Sequence, residues 1–439
     1  MTTTVDAAPE LAFAEGGDPM LGYLWEVLAA VGGLASPGVG GAVDDAARVD
    51  RISVLEKVKA AVAAAQAAEI VQLARSQVAS QRDAGVDYRR LGQGIAEQIG
   101  LATSTGPWHG ARKLTLARDL TTELPETFGL LAAGGISEYV AQLVATETSH
   151  LDPETRRRVD QQLVVAGVEG LAPKAAAGLA RRLAYTADPH SAVKRARHAR
   201  ADRRVSLRPA PDTMTWFTAL LPVEQGVACL AALTRHTDTL KAAGDARSRG
   251  QIMADTAVER LTGQAPADGA PVQLNLTMPI EHLIDPDDLT PGDLPGWGPI
   301  PAGLADDILH RPGARVAWRR LFTAPTGING GRMVVGGDPT ARRFTGWLAT
   351  LLKLRDGGIC REPYCAAPIR HLDHITPYRD GGQTTHTNGR GVCERHNQIR
   401  ELPGWTVETL QTGPGGHPSV IATTTPTGHT YLSSAPNAP

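Results

Sequence analysis

Several things are scarce in this chain, and each scarcity excludes something. Four cysteines in 439 residues are too few to staple a chain of this length, so a disulfide framework is excluded and a reducing cytoplasm is the expected compartment. Aromatic residues make up 4%. The net charge of −2 at pH 7 gives no global attraction to a polyanion, so any nucleic-acid binding must come from a local basic patch. No basic residue precedes Arg48, and Asp6, Glu10, Glu15 and Asp18 stand where a secretory signal would carry Lys or Arg. The apolar run Met20 to Val43 is interrupted by Glu26 and by many glycines, which argues against a membrane span. Segment 1–45 is therefore expected to hold a short docking helix and a Gly/Pro/Ser linker.

What is present is alanine, and with it helix. Hydrophobic residues make up 42% and charged ones 21%, the composition of a soluble globular protein, and the length predicts two or three domains. From Val49 the text turns helical: RISVLEKVKAAVAAAQAAEIVQLARSQ, from Arg51, sets Ile52, Leu55, Val58, Val62, Ala65, Ile70 and Leu73 three and four apart but for one step of five, the pattern of one long amphipathic helix. Asp152-Pro153-Glu154 marks a helix start and Gly134-Gly135 a stop. Residues 46–265 thus read as a large all-α domain. Cys229, in GVACLAAL, reads as a small core residue.

Within that domain, residues 194–208 (KRARHARADRRVSLR) hold seven Lys or Arg against the single Asp202. This is either a solvated, arginine-rich helix face or a phosphate-contacting surface in which Lys194, Arg195, Arg197, Arg203 and Arg204 take part, joined by Arg342 and Arg343 further on. Residues 266–340 are rich in Pro and Gly around one strand-like run, PVQLNLTMPI, and read as a connecting region. A last helical stretch opens the segment 341–404, and 405–439 alternates like short strands.

Three of the four cysteines fall within 341–404. Cys360 and Cys365 are separated by four residues and Cys393 and His396 by two. Two such pairs of soft or borderline donors, folded together, satisfy a tetrahedral zinc ion, and i,i+3 places Cys393 and His396 on one helix face. His371 and His386 compete for the fourth position but lack the short partner spacing.

Zinc leaves LDHITP and TTHTNGRG without a role. Asp373-His374, Pro377, Asp380-Gly381-Gly382, Asn388 and the residue after the second zinc pair, in that order, resemble the HNH endonuclease motif, or His-Me finger. The wider chain, from about Arg48 onward, resembles actinobacterial HNH proteins with a long N-terminal domain of unknown function, a family related to a mycobacterial repeat element. The resemblance implies a mainly α protein: the all-α domain, then a small zinc-stabilised ββα-metal domain with short C-terminal strands. It implies hydrolysis of phosphodiester bonds in DNA, most readily double-stranded, with His374 as general base, Asn388 holding its ring, and Asp373 and Asn397 binding a catalytic cation. Relatives more often carry histidine at the position of Asn397; an amide oxygen is a hard donor that suits Mg²⁺ or Mn²⁺. The alternative is a catalytically degenerate zinc finger that binds DNA, with Lys353 and Arg355 added to the phosphate contacts.

Overall fold

The computed structural model describes residues 19–33, 44–264, 276, 278, 289–294, 296–310, 323–325, 332–334, 343–413 and 418–436. It is mainly helical, with short antiparallel strand pairs concentrated toward the C-terminus. Among the described residues no helix is long and apolar enough to cross a membrane.

Helix α1 (Pro19–Gly33) is largely exposed, and α2 (Asp45–Asp83) starts where the Asp44 side chain accepts the Ala47 N–H at 2.7 Å. The single long helix expected from Val49 is there, but its buried face is Ala60, Ala64, Ala67, Ile70, Val71 and Ala74. Of the predicted stripe, Ile70 is buried, whereas Ile52, Val62 and Ala65 are exposed. The reason is length: 39 residues make about 58 Å of helix, longer than the partners it packs on, and where they do pack alanine permits close approach.

Those partners are α3 (Ile95–Ala102), α4 (Pro107–Thr122), α5 (Pro125–Ala132) and α6 (Glu138–Thr148), with α7 (Pro153–Val165) packed on α5 and α8 (Pro173–Ala187) on α6 and α7. Leu120, Leu124, Leu131, Val144, Val159 and Leu163 centre one buried cluster, and Ile95, Ile99 and Leu114 a second. The Asp152 side chain caps α7, accepting the N–H groups of Glu154 and Thr155 at 3.1 and 3.0 Å, as the Asp-Pro-Glu start predicts. From α7, buried Arg156 reaches Asp119 of α4 and Glu123 just past its end, and buried Asp160 accepts the N–H of Glu126 at 2.7 Å.

The domain is not all-α. Helix α9 (Pro189–Ala199) stops short of Arg203, and β1 (Arg204–Pro209) and β2 (Thr215–Leu220) form an antiparallel hairpin. VSLRP and TWFTAL carry the β-branched and aromatic residues of strands, and Pro-Asp-Thr between them supplies the turn; the arginine run had disguised the change. Helices α10 (Val223–Ala242) and α11 (Arg249–Thr262) follow. Cys229 on α10 is exposed, not in a core, because the helix turns Val223, Val227 and Leu230 to solvent as well.

The strand expected in PVQLNLTMPI lies outside the described residues except for Leu276 and Met278, which are in no strand. Beyond it come the short pair β3 (Gly292–Leu294) and β4 (Gly298–Ile300), α12 (Ala302–Leu309), the pair β5 (Thr323–Pro325) and β6 (Arg332–Val334), and α13 (Gly346–Arg355). Strand β7 (His371–His374) pairs with β8 (Gly389–Val392), α14 (Glu394–Ile399) follows, and β9 (Thr406–Thr412), β10 (Pro418–Thr424) and β11 (Thr430–Ser434) close the chain as a sheet with β10 central.

This C-terminal unit is mounted on α3. Leu101 packs with Ile399, Leu402 and Trp405, and buried Glu97 forms an ion pair with Arg395. Gly94, at φ +87°, leaves room for the mount: a Cβ there would lie 3.0 Å from Trp405 Nε1 and 3.2 Å from Leu402 Cδ1.

Candidate metal centre

The Cys360–Cys365 turn and the Cys393–His396 helix start converge. Their four donor atoms lie within 4.8 Å of one another and all four residues are buried. His396 Nδ1 is 3.4 Å from Cys360 Sγ and 3.3 Å from Cys393 Sγ. Zinc–sulfur and zinc–nitrogen bonds of ~2.3 and ~2.05 Å at the tetrahedral angle set sulfur and nitrogen ~3.6 Å apart, so the spacing already fits that ion.

The protonation pattern fits as well. The Cys365 and Cys393 side chains, with burial, push the Cys360 thiol far up, while hydrogen bonds from Cys360 and Cys365 pull Cys393 far down. Burial alone would lower His396, but Cys365 and Cys393 raise it to about 10. Donors this close cannot all shed protons unaided, and a divalent cation bound to all four removes that competition. Among the described residues these four form the group able to hold a metal, whereas His371 is exposed on β7 and His386 is not among the four.

Beside this centre, β7 delivers Asp373 and His374. Neighbouring strand residues face opposite ways, and His374 is the last residue of β7, where the chain turns away. Its Nε2 is 2.9 Å from Thr384 Oγ1, and its ring lies 4.6 Å from that of Phe344 and 5.9 Å from that of Tyr378, centroid to centroid. None of these three neighbours was singled out from the sequence.

Asn388 does something other than expected. Its amide accepts the Thr376 N–H at 2.8 Å and donates to the carbonyls of Thr376 and Gln383 at 3.0 and 2.9 Å. Both of its N–H groups go to backbone, so the residue closes the 376–383 loop instead of holding the imidazole. Gly382 is needed there: a Cβ would sit 1.8 Å from Thr376 O.

Asp373 is paired with arginine. Its Oδ2 accepts from Nε and Nη2 of Arg390, both at 3.3 Å, and from Arg400, whose guanidinium also reaches the carbonyls of His374 and Ile375. Arg390 is fully buried between Asp373 and Glu362, and although burial opposes its charge these two carboxylates raise its basicity. Asp373 Oδ1 and the partly buried Asn397 amide make no hydrogen bond among the described residues.

The predicted basic residues divide. Lys194 and Arg197 are exposed on α9, and Arg203 and Arg204 are exposed at the hairpin. Arg195 turns back to α6, its Nη1 3.0 Å from His150 Nδ1. Arg343 and Lys353 are exposed, and Arg342 lies outside the described residues. Arg355 is no phosphate contact: it is buried, donating to Asp356 and to the carbonyls of His386 and Gly389.

The model of a domain of unknown function, DUF222, matches residues 52–276, just over half of the chain. The chain belongs to the DUF222 family. Comparison with curated proteins and with solved structures returns no match. In this DUF222 chain the match covers the helical domain and the β1–β2 hairpin, while the metal centre lies wholly beyond it.

Proposed function

We propose that this DUF222 chain is a metal-dependent endonuclease of the HNH type, hydrolysing phosphodiester bonds in DNA. The observation that carries the reading is a sequence of groups in one small unit. Strand β7 delivers Asp373 and His374, the Asn388-closed loop follows, and a Cys₃His cluster suited to structural zinc roots the helix that carries Asn397. Asp373 and Asn397 would hold Mg²⁺ or Mn²⁺; when bound, such a cation supplies charge stabilisation at the scissile phosphate and help for the departing 3′ oxygen.

The protein's own part centres on His374. Nε2 pairs with Thr384 Oγ1 at 2.9 Å, which fixes the ring, and the imidazole takes the proton of the attacking water. Phe344 and Tyr378 restrict the ring's rotation.

One observation favours a second reading, a finger that binds DNA without cutting it: Asp373 Oδ2 is already neutralised by Arg390 and Arg400. Supercoiled plasmid incubated with the full chain in Mn²⁺ or Mg²⁺ separates the two. Nicking or linearisation is expected, and His374→Ala should lower it by ~10² to 10⁴-fold, the usual worth of a positioned acid-base group, at unchanged zinc content. Equal cleavage by the two proteins would refute His374 as base. No cleavage by wild type would leave the binding reading.

A further inference from the structure

The hairpin between α9 and α10 has two unlike faces, and every residue of its strands is exposed. Directly opposed residues of an antiparallel pair share a face. The pairs Val205–Ala219 and Leu207–Phe217 make one face apolar, whereas Arg204–Leu220, Ser206–Thr218 and Arg208–Trp216 make the other cationic and hydrogen-bonding, with an indole among the arginines. Neither strand contains an acid. Its turn is tight: Met214 N–H donates to Pro211 O, and the two residues between, Asp212 and Thr213, have φ of +58° and +57°, as in the type I′ turns that suit a twisted two-stranded ribbon.

Resting on the reading of DNA as the substrate, we propose that this hairpin is the element that docks duplex DNA, its Arg204–Ser206–Arg208–Trp216–Thr218 face entering the major groove. A ribbon of two strands ~4.8 Å apart fits a groove ~12 Å wide. Arg204 and Arg208 lie four residues apart along β1, ~13 Å, which matches about four base-pair steps of ~3.4 Å. Guanidinium groups at that spacing take guanine edges or phosphates in pairs of hydrogen bonds, the Ser206 and Thr218 hydroxyls add donors that also accept, and Trp216, 60% exposed, offers an apolar plane to a base or sugar. Exposed Arg203, Lys194 and Arg197 continue the positive charge toward α9. Arg200 does not join them, being paired with Glu224. The cationic face faces the polyanion, and the apolar face remains outside the groove.

The test is fluorescence anisotropy of the zinc-loaded full chain with a labelled duplex oligonucleotide, in calcium without magnesium or manganese, over a range of potassium chloride. Arg204→Ala/Arg208→Ala should weaken binding at least tenfold and make the log Kd against log salt slope shallower by about 2, one phosphate-equivalent per guanidinium removed. Arg204→Lys/Arg208→Lys should keep the slope, which separates lost charge from lost fold. Trp216→Ala should weaken binding several-fold, and Trp216→Phe should weaken it less. Unchanged affinity and slope in the double alanine variant, or tighter binding of the single strand than of the duplex, would overturn the proposal. Failure of the nuclease reading looks different: hairpin-dependent binding without plasmid cleavage keeps the ribbon and removes the nuclease, whereas cleavage with hairpin-independent binding does the reverse.

Discussion

Asp356→Asn should open the C-terminal unit, by an amount that follows from what the carboxylate holds. Asp356 is fully buried; its Oδ1 accepts from Arg355 Nε at 2.8 Å and from Arg361 at 3.0 Å, and its Oδ2 accepts from Arg355 at 3.0 Å and from the Gly391 N–H at 2.7 Å. Burial alone would push its carboxyl up, but Arg355 and Arg361 hold it below the usual carboxylate range. Asparagine keeps the shape and the Gly391 bond and deletes the charge, leaving two guanidiniums, 1% and 2% exposed, without their counter-ion. Removing one partner of a buried pair costs about 3–5 kcal/mol, a large share of the ~5–15 kcal/mol that stabilises a domain.

Hydrogen exchange of the amides of Arg361, Arg370 and Ile375, bonded to Gly391, Val392 and Asn388, reads the opening directly. Exchange through that opening should be faster by about 10² to 10³-fold or more, since each 1.4 kcal/mol is a factor of ten. The pH dependence carries a sign. A carboxyl whose folded pKa lies below its unfolded value, ~3.9, contributes in full above that value and loses the contribution as pH falls through the folded pKa. The gap between wild type and Asp356→Asn should therefore be widest near neutrality and narrow below about pH 4. Protection unchanged by the substitution would mean that water already screens the two arginines and that the network is not a dry one.

Two further outcomes can be checked. Metal analysis should find about one zinc per chain, lost in Cys360→Ala and Cys393→Ala and kept in His371→Ala and His386→Ala, because four buried donors complete a tetrahedral shell; zinc retained at wild-type level in Cys360→Ala would contradict the assignment. Trp405→Ala should cost ~3–5 kcal/mol, as for other buried large-to-small changes, and release the C-terminal unit from α3, seen as a second calorimetric transition with zinc content unchanged; a single wild-type-like transition would show that Leu101, Ile399 and Leu402 suffice for the mount.

Some of this protein is written locally and could be read from the sequence. The zinc-suited quartet belongs here because cysteine and histidine donors five and three residues apart need only a turn and a helix start to converge. The start of α7 at Asp152-Pro153 and the great length of α2 also depend on neighbours in sequence, through capping and backbone propensity. The β1–β2 hairpin was equally local in its alternation and turn, but a run of arginines overlay it. Long-range burial decided the rest. Residues distant in sequence fixed where Asp373 directs its charge, through Arg390 and Arg400, and drew Arg355 inward onto the carbonyls of His386 and Gly389. The same is true of Asn388, spent on the Thr376 and Gln383 backbone, and of Cys229, left at the surface because α10 keeps its apolar stripe outward. Most distant of all is the Glu97–Arg395 pair, 298 residues apart. No periodicity encodes it, because the buried carboxylate acquires its partner only once two separately folded surfaces meet and exclude the water that would otherwise solvate it.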